Sequence, residues 1–96
     1  MLILVTYDVC LDTQEGQKRL RRVAKICTNY GVRVQNSVFE CVVDQAQYVM
    51  LKSRISKEID ENKDSVRFYR LGNNYSGKVE FLGANTAVQV ENPLIF

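Results

Sequence analysis

The run Leu2-Ile3-Leu4-Val5-Thr6-Tyr7 is apolar and rich in β-branched side chains, and it stops at Asp8. That pattern predicts a buried strand whose end reaches a polar edge. Further on, Leu20, Val23, Ala24 and Cys27 recur at the spacing of one helical face, preceded by Asp12 and Glu15 at the spacing of a capping box. A helix is predicted from about Thr13 to Asn29. Gly31 stands where a left-handed C-terminal cap is expected, and strand-like alternation resumes at Val32 and Val34.

The stretch from Val32 to Val43 is too long for one ordinary strand, and turn-prone Gln35, Asn36 and Ser37 interrupt it, so a tight hairpin is expected. Asp44 can cap a second helix with Tyr48, Leu51, Ile55 and Ile59 as its apolar stripe. Arg54 with Glu58, and Lys57 with Glu61, have the spacing of ion pairs on that helix. Asn62 to Asp64 turn the chain, and Val66 to Leu71 alternates as a last strand.

Strand, helix, hairpin, helix, strand is the α+β, ferredoxin-like βαββαβ order, complete by Leu71. The 96 residues fit a single domain, with a core over about 1–71 and an added segment over about 72–96. In that segment Gly72 to Gly77 reads as a polar loop and Val79 to Leu82 as a short fifth strand. The ending Pro93-Leu94-Ile95-Phe96 puts three apolar residues on a terminus that is expected to bury against something. So small a core gains from association, which makes a homodimer the expectation.

Composition changes this picture little: 46% hydrophobic and 25% charged residues are ordinary for a globular domain. The net charge of +2 says less than its distribution, because Lys18, Arg19, Arg21, Arg22 and Lys25 cluster on the first helix, with Arg33 just beyond. No acidic residue occurs between Glu15 and Glu40, so these charges lack neighbours in sequence and are expected to be free for phosphates. A solvated helix face is the alternative reading. Cys10, Cys27 and Cys41 are widely spaced and read as reduced structural thiols. The opening apolar run is too short for a signal segment or a membrane span, so a cytoplasmic location with no membrane partner is expected.

The chain has no histidine, which excludes histidine general bases, Ser-His-Asp triads and histidine metal sites. Hydrolysis would then rest on a divalent cation held by carboxylates, as Mg²⁺ or Mn²⁺ prefers. Asp8 is the best-placed candidate, although an aspartate that ends a strand is more often a turn or cap group. Asp12 and Asp44 have an easier account as helix caps, and Glu58, Asp60 and Glu61 as solvated charges. Near the axis of an isologous dimer, one Asp8 per chain becomes two per site. The aromatic residues Tyr7, Tyr30, Phe39, Tyr48, Phe68 and Tyr69 are spaced like core and strand positions rather than a base-stacking platform.

Three segments together resemble the CRISPR-associated protein 2 family: Leu4-Val5-Thr6-Tyr7-Asp8-Val9, the run Lys18 to Lys25, and Gly31-Val32-Arg33-Val34-Gln35-Asn36-Ser37-Val38-Phe39-Glu40. The resemblance spans about Met1 to Leu71 and implies a homodimer in which C-terminal strands pack on the partner's sheet. It further implies a DNA-binding scaffold in spacer acquisition, working with the CRISPR integrase, CRISPR-associated protein 1. A metal-dependent endonuclease activity on double-stranded DNA or RNA is implied as well, with Asp8 as catalytic residue and ligand for Mg²⁺ or Mn²⁺. Tyr7, Ser37 and Phe39 match positions neighbouring that site, while Lys18, Arg19, Arg21, Arg22 and Arg33 are the expected nucleic-acid contacts. The alternatives are a toxin-like ferredoxin-fold ribonuclease of the VapD type and a non-catalytic regulatory domain.

Overall fold

The computed structural model describes residues 1–83, which hold β1 (Leu2–Asp8), α1 (Gln14–Thr28), β2 (Gly31–Gln35), β3 (Val38–Val42), α2 (Gln45–Glu58) and β4 (Ser65–Gly72). All neighbouring strands run antiparallel in the order β2-β3-β1-β4, so β1 lies inside the sheet and, among the described residues, β4 forms an edge. The fold is the ferredoxin-like βαββαβ arrangement expected from the sequence. Its hairpin turns at Asn36 and Ser37, between β2 and β3.

Alternation along β1 sends Ile3, Val5 and Tyr7 to one face, where they meet Phe39 and Cys41 of β3, Leu20, Val23 and Cys27 of α1, and Tyr48, Leu51 and Ile55 of α2. Ile3, Val5, Phe39, Leu51 and Ile55 are fully buried, and each contributes roughly 1.5–3 kcal/mol relative to exposure. Leu4, Thr6 and Asp8 take the opposite face, in register with Val38 and Glu40 of β3 and with Ser65, Arg67 and Tyr69 of β4. Both helices pack on the first face, so the second is left uncovered by them.

Thr13, rather than Asp12, is the N-cap of α1: its hydroxyl accepts the Gly16 N–H at 3.0 Å. The loop from β1 brings the Cys10 carbonyl against Gly16, where a Cβ would lie 1.8 Å from the oxygen, so only glycine fits this first turn without a shift. The capping box of α2 forms as expected, with Asp44 accepting from the Gln47 N–H at 2.7 Å and the Gln47 side chain accepting the Asp44 N–H at 2.9 Å.

Gly31 is not a left-handed cap, since the positive-φ glycines among the described residues are Gly72 and Gly83. Instead it starts β2, where a Cβ would fall 1.9 Å from the Glu40 carbonyl oxygen of β3. The two ion pairs expected on α2 do not form. Glu58 faces Arg22 of α1 at 3.9 Å, and Glu61 lies past the helix end.

Cys27 and Cys41 are buried free thiols, and Cys10 is an exposed one. Val79 to Leu82, the expected fifth strand, has no ladder partner among the described residues, and Phe81 and Leu82 stand 52% and 97% exposed. The apolar ending Pro93 to Phe96 lies outside the described residues.

Candidate functional site

Asp8 is exposed at the end of β1, paired in register with Ser65 of β4. It borders an open groove of about 370 Å³ lined also by Thr6, Tyr7, Ser37, Val38, Ser65, Arg67 and Tyr69. Because β1 is an inner strand, both flanks of this end are fixed: β4 pairs on one side, and on the other the Tyr7 N–H donates to the Ser37 carbonyl at 2.9 Å. The groove therefore offers one carboxylate, several hydroxyl oxygens and one guanidinium on a rigid base. Hard oxygen donors of this kind suit Mg²⁺ or Mn²⁺. A single carboxylate is a thin ligand set, however, and no cluster of three or more acidic, cysteine or histidine side chains occurs among the described residues.

Tyr7 contributes only its backbone to the groove side of the sheet, since its ring points into the core. There the phenol donates to Asp64 Oδ2 at 2.5 Å, while Arg19 donates from Nε to Oδ2 at 2.7 Å and from Nη2 to Oδ1 at 3.1 Å. The Asp60 N–H adds a fourth bond at 3.0 Å, and the Asp64 side chain is fully buried. Burial by itself would raise the Asp64 carboxyl, but the bonds from Arg19, Tyr7 and Asp60 outweigh it and hold the group below its ordinary value. Burial and the bond to Asp64 push the Tyr7 phenol up. Asp64 was legible only as a turn residue, yet it directly precedes Ser65, the ladder partner of Asp8.

The family model for CRISPR associated protein Cas2 matches residues 1–79. The chain belongs to the Cas2 family. It is 59% identical over 96 residues to the CRISPR-associated endonuclease Cas2 of Halalkalibacterium halodurans, with both chains covered in full. It is 56% identical over 95 residues to the CRISPR-associated endoribonuclease Cas2 of Nitratidesulfovibrio vulgaris, covering 99% of this chain and 93% of that one. Among solved structures, the crystal structure of Streptococcus pyogenes Cas2 at pH 6.5 superposes with a TM-score of 0.81 at 58% identity, covering 86% of this chain and 100% of that one.

On this Cas2 fold the basic residues divide sharply. Lys18, Arg21 and Lys25 of α1 are exposed and make no ion pair with the described residues. Arg19 does not have the freedom its sequence neighbourhood implied, because its side chain is 12% exposed and clamped on Asp64. Arg22 keeps 60% exposure but lies 3.9 Å from Glu58. Arg33 folds back on its own hairpin, donating from Nε to the Asn36 carbonyl at 2.7 Å and stacking 5.6 Å above the Phe39 ring. Phe39 itself is fully buried on the helix face, so it supports the sheet beneath the groove rather than lining it.

Sequence reading missed Arg67 and Ser65 as groove residues. Their signal was the alternation of β4 read against its antiparallel register with β1, which aligns Ser65 with Asp8 and Arg67 with Thr6. Glu40, on the same uncovered face, is buried, and its Oε1 has no hydrogen-bond partner among the described residues. Burial pushes its carboxyl above the ordinary glutamate range. No helix among the described residues is long and apolar enough to cross a membrane.

Proposed function

We propose that the chain is a cytoplasmic CRISPR adaptation protein that works as a homodimer, binds duplex DNA within the spacer-acquisition complex formed with the CRISPR integrase, and cleaves DNA or RNA phosphodiester bonds at a Mg²⁺ or Mn²⁺ site built from Asp8. The observation that carries this reading is the position of Asp8: an exposed carboxylate fixed at the end of an inner strand, in a groove whose lining includes hydroxyls and Arg67. Family membership and relatives named endonuclease and endoribonuclease support the nuclease part.

Pairing of two chains through the uncovered sheet face answers the shortage of ligands, since each copy brings its own Asp8 to a shared groove. Exposed Val42 and Tyr69 on that face, and Phe81 and Leu82 beyond it, supply apolar surface for such a contact. A divalent cation bound by the paired carboxylates would supply Lewis acidity for hydrolysis and offset their mutual repulsion. The protein's own groups do the rest: the β1 and β4 ladder holds Asp8 in place, and Arg67 presents a permanent positive charge to a phosphate in the groove. Exposed Lys18, Arg21 and Lys25 add backbone contacts without sequence preference.

A cleavage assay on duplex DNA and single-stranded RNA, with and without Mg²⁺ or Mn²⁺, tests this reading when Asp8→Asn is run beside the parent. Metal-dependent cleavage that disappears in the variant, with dimer mass and DNA binding kept, is the expected result. Equal cleavage by both proteins removes Asp8 from the chemistry.

A further inference from the structure

Away from the Asp8 groove, on the helix side of the sheet edge, two cations crowd one aromatic ring. Lys52 Nζ of α2 lies 5.3 Å from the centroid of Tyr48, and Arg70 Cζ of β4 lies 5.6 Å from the same centroid. Lys52 is also 5.9 Å from the ring of Phe68, which meets Tyr48 edge-on with centroids 6.1 Å apart. Both cations are exposed, and neither has a carboxylate within ion-pair distance among the described residues. Ring contacts hold the charged ends in place but cancel none of their charge. What remains is a pair of exposed positive groups with no carboxylate partner among the described residues.

We propose that Lys52 and Arg70 form a second nucleic-acid contact, separate from α1, that binds adjacent phosphates of a duplex backbone. The inference rests on the nucleic-acid-binding reading above and adds to it a surface on α2 and β4. Backbone rather than base contact follows from the aromatic geometry: Tyr48 is only 6% exposed and carries cations over its ring, so no open face remains for a base to stack on. On α1, Arg19 and Arg22 are drawn toward Asp64 and Glu58 while Lys18, Arg21 and Lys25 stay unpaired among the described residues, and Lys52 and Arg70 add two further exposed cations without a carboxylate partner there.

The test measures binding of two blunt DNA duplexes of unrelated sequence over a range of salt concentrations, using the parent, Lys52→Ala with Arg70→Ala, and the charge-keeping pair Lys52→Arg with Arg70→Lys. Two lost phosphate contacts should flatten the log–log salt slope by about 2 and weaken both duplexes alike. The charge-keeping pair should retain the parent slope, which a role in packing alone would not require. An alanine pair with the parent's slope and affinity overturns the inference while leaving the α1 contacts standing. A parent protein with no measurable affinity for either duplex sinks this inference together with the reading beneath it. Loss of binding to polyglutamate-coated beads with duplex binding unchanged assigns the surface to an acidic polypeptide and likewise overturns it.

Discussion

The Tyr7 phenol and the Asp64 carboxylate, joined at 2.5 Å, cross-link the residues that immediately precede Asp8 on β1 and its ladder partner Ser65 on β4. Arg19 closes the same knot from α1. Asp64→Ala would leave a largely buried guanidinium and a buried hydroxyl without their acceptor, and breaking such a pair costs about 3–5 kcal/mol. Tyr7→Phe removes one bond to a charged acceptor and should cost about 1.5–3 kcal/mol. Urea unfolding of both variants checks the order: Asp64→Ala well below Tyr7→Phe, and Tyr7→Phe below the parent.

Two buried acids should give opposite pH dependences. The Asp64 carboxyl is held below its ordinary value in the folded chain, so its contribution is present above the unfolded pKa of about 3.9 and is lost as pH falls through the folded value. Glu40 is raised by burial, so the folded chain prefers its protonated form. Its favourable contribution exists below the unfolded pKa of about 4.3 and disappears as pH rises through the higher folded value. Relative to the parent, Glu40→Gln should therefore gain stability as pH rises from 4 toward neutrality. Denaturation midpoints of the two proteins at several pH values would expose a parallel course, which contradicts the assignment.

Gly31→Ala tests the close approach of β2 to β3. A methyl group placed 1.9 Å from the Glu40 carbonyl oxygen meets the β3 backbone, including the Cys41 Cα at 2.6 Å. Neither neighbour can swing aside as a side chain end would. The hairpin must shift, at a cost of about 1–3 kcal/mol, measurable as a lowered melting temperature. Gly77→Ala, with nothing within 4 Å of the new atom, is the control and should leave stability unchanged.

Local periodicity made the four strands, both helices and the hairpin legible, because each buries one face against the same core: Leu20, Val23 and Cys27 on α1, and Tyr48, Leu51 and Ile55 on α2. What local pattern could not carry were relationships that exist only across the fold. Arg19 looked unpaired because its acidic partner is 45 positions away and arrives through the pairing of β4 with β1. Gly31 looked like a helix cap because the Glu40 carbonyl that forbids its Cβ lies on another strand. Asp8 stood out from the start as the polar end of an apolar strand, whereas Arg67 and Ser65 joined its groove only once the register was known.

Arg67 provides the last prediction. It sits on β4 opposite Thr6, two ladder positions from the Asp8–Ser65 pair, with Nη1 donating to the Tyr69 hydroxyl at 3.3 Å and no carboxylate in ion-pair range among the described residues. Under the proposed function, a guanidinium so placed is expected to meet the phosphate of a bound substrate before and during reaction alike, contributing uniform binding rather than a bond made only in the transition state. Arg67→Ala should then raise KM for nucleic acid about tenfold, the loss of roughly 1.4 kcal/mol of binding, while kcat changes little. Arg67→Lys, which keeps the charge but not the planar fork, should recover part of that affinity. Steady-state cleavage kinetics of the three proteins would show the opposite pattern, a fall in kcat at constant KM, if the guanidinium instead stabilised charge that develops only as the phosphodiester bond breaks.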